Sequence, residues 1–490
     1  IRFLADAMPS LSTPLPGIIN EGLLSNHELK SGTRSRLDWD TAVKKAKSIL
    51  GKSKRALISA LGFSIQKVDN LTELLVVDEE QTALAVLLEE EESPQIATNR
   101  FNDISPISYA LTKADKARIP WVMMVQGDRI RLYNTKNIGV GRRGRTETYI
   151  ECQTSLLPTK DLGFLWLLFS SEALKENGTI TSILEESKRF AADIAEQLRE
   201  RIYGLVIPQL AMGISKARNL SNPTKNDISL TYEMAVTVLF RLLFISYGED
   251  RDLLPFKSNE AYRRRSLKKK SEELAKSATQ NISIGIGDHH WVETSQLCQS
   301  ISIGNKEWGL PAYGGTMFSS DISVSEIGSE LANITLPNES FEEVLRNLLL
   351  AETKEFGYAP IDFRSLSVRE FGTIYEGLLE SELSIAQDNL TIDKKGNYLP
   401  ASKSDHINVK KGEIYLHDRS GARNSSGSYF TREFAVEHLL DGALEPALDK
   451  HLHYISKLSE AERTDQFFDF RVADIAMGSG HFLVSAIDRI

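Results

Sequence analysis

The pattern of apolar residues changes along this chain, and that change limits the fold more than any other feature. Residues 56–150 contain short apolar runs rich in β-branched side chains, which are typical of strands. Among them, residues 105–120 have the apolar spacing of a helix, and residues 165–250 continue with helical spacing. Since 490 residues are too many for one core, we expect an α/β multidomain protein of about three units.

These patterns predict where the domains begin and end. Residues 1–45 are rich in Pro, Ser and Gly and predict an irregular lead-in. Residues 46–160 predict a small α/β domain, with strands at ALISALGF, LTELLVVD, TALAVLLEE, WVMMVQGD, RIRLYNT and ETYIE. Residues 161–420 predict a mainly helical connector, in which the charged stretch 257–280 is expected to be a solvated linker. Residues 421–490 predict a helix, then a strand, a glycine-rich turn and a further helix.

The composition is that of a globular protein, with 41% hydrophobic and 26% charged residues. Cys152 and Cys298 lie far apart and outside any CxxC pair, so neither a disulfide framework nor a zinc site is expected. The net charge of −9 argues against a surface that coats nucleic acid everywhere, but it allows a local basic groove. We expect no membrane partner, because no uninterrupted apolar run reaches the roughly 20 residues of a bilayer span. The sequence has no starting Met, so we expect a fragment at this end.

The stretch Asp474–Leu483, DIAMGSGHFL, carries the clearest chemical signal. Phe470–Ala473 before it predicts a buried parallel strand, and the residues after Gly480 predict a helix. Glycines let the backbone turn sharply beside a ligand, and a helix N-terminus offers free N–H groups. The pattern therefore predicts a small-cofactor site at the carboxyl end of a strand. Gly478-Ser479-Gly480 lacks the third glycine of a dinucleotide site. A ligand with an amino-acid end fits better, with its ammonium at Asp474.

This stretch resembles the first methyltransferase motif, D-P-A-M-G-S-G-H-F-L, of adenine-N6 DNA methyltransferases with amino-proximal cofactor motifs, although Ile475 stands in place of Pro. Upstream, Gly427–Arg432 resembles the family's preceding G-S-Y-Y-T-P motif, with departures at Phe430 and Arg432. The resemblance implies the start of a Rossmann-like methyltransferase domain and S-adenosyl-L-methionine as cofactor. The binding residues that it implies are Tyr429, Thr431, Asp474, Ala476, Met477, Gly478, Ser479, Gly480 and Phe482.

Two further segments resemble type IIG restriction–modification enzymes: Glu307–Phe318 is similar to their PAYNGGLF segment, and Phe371–Glu380 to their G-x-I-Y-E-x-L-L-E helix. We interpret both as structural spacers. The resemblance implies action on double-stranded DNA in the prokaryotic cytoplasm, as part of restriction–modification or phage defence, with other defence subunits as further candidate partners.

The family's catalytic [DNS]-P-P-[YF] motif follows the cofactor motif, and the 490 residues do not contain it. We therefore expect this chain, as given, not to transfer methyl groups.

Type IIG enzymes often begin with a PD-(D/E)xK nuclease domain, and WVMMVQGDRIRLYNT resembles a strand pair of such domains. The nuclease site needs an Asp, then an acidic-x-Lys on the next strand, to hold Mg²⁺. Asp69 or Asp78 is a candidate for the Asp, and Glu89 or Glu91 for the second carboxylate. No Lys stands two residues after either glutamate. We therefore expect a nuclease-like fold with an eroded site, which would use Mg²⁺ only if it were active.

Two alternatives remain open at this point. The chain could belong to a bifunctional type IIG endonuclease-methyltransferase, or to a non-catalytic DNA-binding defence subunit that keeps a vestigial cofactor fold. The basic run from Arg263 to Lys270 is a candidate contact to the DNA backbone in each case.

Overall fold

A computed structural model of the chain describes residues 15–136, 138–141, 144–220, 223–280, 282, 285–353, 357–366, 368–393, 398–402, 405–418, 433–477 and 480–490. These residues divide into two compact units. The first unit comprises Ile1–Leu366, Ile385–Thr391 and Pro400–Tyr415, and the second comprises Ser367–Ser384, Ile392–Leu399 and Leu416–Ile490. The α/β class expected from the sequence is confirmed.

A seven-stranded mixed sheet forms the amino-terminal part of the first unit. Its strands are β1 (Ile18–Glu21), β2 (Ser64–Lys67), β3 (Thr72–Val77), β4 (Glu80–Leu87), β5 (Trp121–Gln126), β6 (Arg129–Asn134) and β7 (Tyr149–Gln153). Three helices accompany them: α1 (Trp39–Lys47), α2 (Lys54–Ala60) and α3 (Pro106–Lys116). The strand order is β1-β7-β6-β5-β4-β3-β2. Neighbours are antiparallel except β4 and β5, which are parallel because α3 forms the crossover between them. The predicted strands β3 to β7 and the predicted helix α3 are confirmed.

Two predictions for this part of the chain are wrong. The run Ala56–Phe63 was expected to form a strand, but α2 covers most of it, with Leu57 and Ile58 fully buried. A short apolar run has no periodicity that separates a strand from a buried helix. The lead-in is not irregular throughout, because β1 pairs with β7 at the edge of the sheet, Ile18 opposite Cys152. Residues 1–14 lie outside the described part of the chain.

Both faces of the sheet are buried. Successive side chains of a strand point to opposite faces, and β5 shows this directly. Met123 joins the core that α1, α2 and the following helices cover, whereas Val122 and Met124 join the core beneath α3. The sheet is therefore the middle layer of the amino-terminal part of the first unit.

Helices dominate the rest of the first unit, as the sequence predicts for residues 165–250. They are α4 (Gly163–Phe169), α5 (Ser171–Leu174), α6 (Thr179–Arg201), α7 (Ile207–Ala217), α8 (Lys225–Asp250), α9 (Glu260–Arg263), α10 (Leu267–Thr279), α11 (His289–Ile303), α12 (Gly315–Phe318), α13 (Glu326–Ala332) and α14 (Asn338–Leu349). A hairpin of β8 (Leu350–Thr353) and β9 (Gly357–Pro360) follows. By length and composition α8 could cross a bilayer, and half of its most apolar window is buried in this fold.

The charged stretch 257–280 is not a solvated linker, because it contains α10 with a half-buried Lys268 and a buried Lys270. Lys268 Nζ donates to Asp250 Oδ1 over 2.5 Å, and Lys270 pairs with Glu293. Both carboxylates belong to other helices, α8 and α11, so the sequence pattern of the stretch does not reveal them. Lys268 and Lys270 therefore form ion pairs within the fold.

The remaining elements lie at the carboxyl end of the chain. They are α15 (Val368–Leu379), β10 (Ser381–Ile385), β11 (Leu390–Ile392), β12 (Tyr398–Pro400), β13 (Ile414–Asp418), α16 (Glu433–Ile455), α17 (Glu460–Phe468) and α18 (His481–Arg489). Strand β10 pairs with β13, and β11 pairs with β12. The predicted helices near Phe371 and Glu433 are both present.

Candidate functional site

The turn before α18 is built on Gly480. Gly480 has φ +80° and ψ 17°, a left-handed conformation in which a Cβ is strained. Its N–H donates to the Met477 carbonyl over 2.9 Å, and its own carbonyl accepts from Val484 N–H over 3.0 Å. Gly480 thus closes the turn and begins the helix, as expected from the glycine-rich pattern.

Asp474 begins this turn with one carboxylate oxygen engaged and one unpaired. Its Oδ1 accepts a hydrogen bond from the backbone N–H of Ala476 over 3.1 Å. Its Oδ2 is buried and has no hydrogen-bond partner in the described structure. A buried carboxylate oxygen without a donor is unfavourable, so this atom is suited to a ligand that brings an N–H group.

A groove of about 510 Å³ adjoins Asp474. One wall is the apolar side of α16, and the others are the segment 470–475 and the first turns of α18. Leu440 and Leu444 of α16 form a small core with Phe470, Phe482 and Ala486. The groove is therefore apolar, with the Asp474 carboxylate at its edge. The apolar side of α16 was not predicted as a wall of the site, although Leu440 and Leu444 stand one helical turn apart in the sequence.

An ion cluster also fixes α18 against α16. Arg489 Nη1 donates to Asp441 Oδ1 over 2.5 Å and to Glu445 Oε1 over 3.0 Å, and Nη2 contacts Glu437. The hydrogen bond to Asp441, followed by those to Glu437 and Glu445, raises the pKa of Arg489. The acids recur at four-residue spacing on α16, so one guanidinium bridges three successive positions.

The other predicted cofactor residues are only partly brought together. Phe482 contacts the small core, whereas Ala476 and Met477 are exposed. Tyr429, Thr431, Gly478 and Ser479 lie outside the described residues.

The strand predicted at Phe470–Ala473 is not present, and Arg471, Val472 and Ala473 are exposed. A parallel strand requires neighbours for its hydrogen bonds. The described residues of 433–490 are helices and connecting segments, which offer none.

In the amino-terminal sheet, the structure separates Asp78 from Glu89. Asp78 lies in the β3–β4 turn, and Glu89 follows the far end of β4, eight strand residues away, which is roughly 25 Å. Glu91 is exposed in the following turn.

Asp69 accepts hydrogen bonds from the amides of Leu71 and Thr72 and pairs with Lys113. Burial acts to raise the pKa of Asp69, but these hydrogen bonds outweigh it and lower the pKa to about 2. Among the described residues, no group of three or more His, Cys, Asp or Glu side chains is placed to hold a metal ion.

Glu73 is a buried carboxylate of β3 that the sequence analysis did not single out. It pairs with Arg55 and lies opposite Ala85 of β4. Ala83, Ala85 and Leu87 of β4 therefore share its face. An acidic-x-Lys would have to occupy two successive positions of these three to act with Glu73, and all three side chains are apolar.

No model of a protein family, no curated protein and no solved structure matches this chain.

Proposed function

We propose that this chain is the cofactor-binding part of an S-adenosyl-L-methionine-dependent DNA methyltransferase that modifies adenine N6 in restriction–modification or phage defence. The observation that carries the proposal is Asp474, whose Oδ2 has no partner among the described residues and lies at the edge of an apolar groove. Asp474 belongs to the stretch that resembles the first motif of this family.

The chemistry of the groove suits such a cofactor. The ammonium of its amino-acid end would donate to Asp474 Oδ2, and a charge-assisted hydrogen bond of this kind is about twice as strong as a neutral one. The apolar wall of Leu440, Leu444 and Phe470 would contact the less polar parts of the ligand. The cofactor supplies the methyl group, and the contribution of these residues is to bind and orient it.

Two alternatives are separated by further observations. A second, DNA-cutting activity is not favoured. Beside Glu73, a nuclease site would need an acidic residue and a Lys, and β4 carries Ala85 and Leu87 there. A non-catalytic DNA-binding subunit would differ from the proposed function in the ligand that it binds. A chain that binds duplex DNA but not S-adenosyl-L-methionine would support that alternative and contradict the proposal.

Isothermal titration calorimetry of the 490-residue chain with S-adenosyl-L-methionine tests the proposal. We expect saturable binding that weakens by about tenfold or more in Asp474→Ala, because a charge-assisted hydrogen bond is lost. Asp469→Ala is the matched control, because Asp469 is an exposed carboxylate paired with Arg471 outside the turn. Absence of binding by the unaltered chain, or equal binding by Asp474→Ala, would overturn the proposal.

A further inference from the structure

A second pocket lies within the first unit, between α8, α11, α12 and α13, and Phe318 at the end of the Glu307–Phe318 segment lines it. Its volume is about 290 Å³. Arg241 of α8 lines it together with the apolar side chains of Leu242, Phe318 and Leu331, and Ser295 and Gln299 of α11 stand exposed at its mouth. We call this the Arg241 pocket.

The guanidinium of Arg241 is held in place by backbone carbonyls. Its Nε donates to the Met317 carbonyl over 2.6 Å, and its Nη2 to the Ser319 carbonyl over 3.4 Å. Neither bond neutralises the charge, since both acceptors are uncharged. Nη1 makes no hydrogen bond to the described residues, so it is available to a ligand.

The charge of Arg241 has no counter-ion within the described structure. No Asp or Glu is among the described residues that line the pocket, and none contributes to the electrostatics of Arg241. Two other partly buried arginines of the same unit do have acidic partners: Arg34 pairs with Asp161, and Arg131 with Glu151. A partly buried cation is costly without an opposite charge. The pocket is therefore complementary to an anion.

We propose that the Arg241 pocket binds a small organic anion, with a carboxylate or phosphate monoester head and an apolar ring as its body. The head meets Nη1 of Arg241, and the ring lies against Leu242, Phe318 and Leu331. A volume of about 290 Å³ is at the lower end of ligand pockets, which begin near roughly 300 Å³. This excludes large ligands and favours a metabolite-sized one.

Calorimetric titration of the 490-residue chain with benzoate and with phenyl phosphate tests the proposal, and benzamide is the neutral probe. The two anions distinguish a carboxylate site from a phosphate site. We expect one or both to bind saturably and benzamide not to bind. Arg241→Gln should weaken the binding by about tenfold or more, because one charge-assisted contact is lost, and Arg241→Lys should retain part of it.

Two further variants complete the test. Ser295→Trp places a large ring at the exposed mouth and should block binding without touching the hydrogen bonds of Arg241. Arg264→Gln is the control, because it removes an exposed arginine that pairs with Glu260 outside the pocket. The proposal is overturned if neither anion binds the unaltered chain, or if Ser295→Trp binds as tightly as the unaltered chain. If Arg241→Gln fails to fold, Ser295→Trp decides.

Discussion

Glu249 offers the sharpest test of how the helical part of the first unit is held together. It lies at the end of α8, with 1% of its surface exposed. Its Oε1 accepts from the Tyr262 hydroxyl over 2.8 Å and from Leu267 N–H over 3.0 Å, and its Oε2 accepts from Lys268 N–H over 2.7 Å. The carboxyl group therefore caps the first turn of α10, where backbone N–H groups have no helical partner.

Replacing Glu249 with Ala removes the acceptor from all three donors at once. A buried donor left unpaired costs about 1–3 kcal/mol. The combined cost of the three unpaired donors is partly offset, because the variant no longer has the desolvation cost of a buried carboxyl group. We therefore expect Glu249→Ala to lower the free energy of unfolding by about 3 kcal/mol or more at pH 5.

The loss should depend on pH in a defined direction. Burial raises the pKa of Glu249 from 4.5 to about 7, against the hydrogen bonds from Lys268, Tyr262 and Leu267. The folded state therefore holds this proton more tightly than the unfolded state does. The resulting stabilisation is complete below about pH 4.5 and is lost as the pH rises through about 7. The difference amounts to about 3 kcal/mol, so the advantage of Glu249 over Ala should shrink between pH 5 and pH 8.

Urea unfolding at pH 5 and pH 8, followed by circular dichroism, measures both effects. Hydrogen exchange at the Leu267 and Lys268 amides reports directly on the cap. Tyr262→Phe is the matched control, because it removes one hydrogen bond, worth about 1 kcal/mol, and keeps the carboxyl group. A Glu249→Ala variant as stable as the unaltered chain at pH 5, or one with the same pH dependence, would refute the argument.

Two further predictions concern the buried Asp250 carboxylate and metal-dependent DNA cleavage. Asp250→Ala should lower the free energy of unfolding by about 3 kcal/mol, because the Lys268 ammonium and the Phe363 amide lose their acceptor. Lys269→Ala, which removes a more exposed pair with Glu272, should cost less than about 1 kcal/mol in the same urea titration. Because no acidic-x-Lys accompanies Glu73 in the amino-terminal sheet, Mg²⁺ should leave plasmid DNA uncut and the thermal midpoint of the chain unchanged. Metal-dependent cleavage that Glu73→Ala abolishes would contradict this.

The elements predicted correctly from sequence are those whose pattern is local and long enough to be distinctive. The runs that become β3 to β7 combine β-branched residues with turn signals, and α8 and α16 repeat apolar residues over several turns. The run Ala56–Phe63 is too short for its apolar pattern to distinguish a strand from a helix. Strand β1 is recognised only from its pairing with β7. Gly480 precedes α18 in a left-handed conformation that suits a residue without a side chain. The glycine itself therefore marks this turn in the sequence.

The sequence by itself determined the α/β class, most of the central sheet, the helical region after it and the glycine turn before α18, because these depend on neighbours within a few residues. The tertiary structure alone decided which charges are buried and which are free. Lys268 meets Asp250 from another helix, Glu249 caps α10, and Arg241 meets carbonyls but no carboxylate of the residues that the structure describes. The energy of a charge depends on its surroundings after folding, and those surroundings come from residues that are distant along the chain.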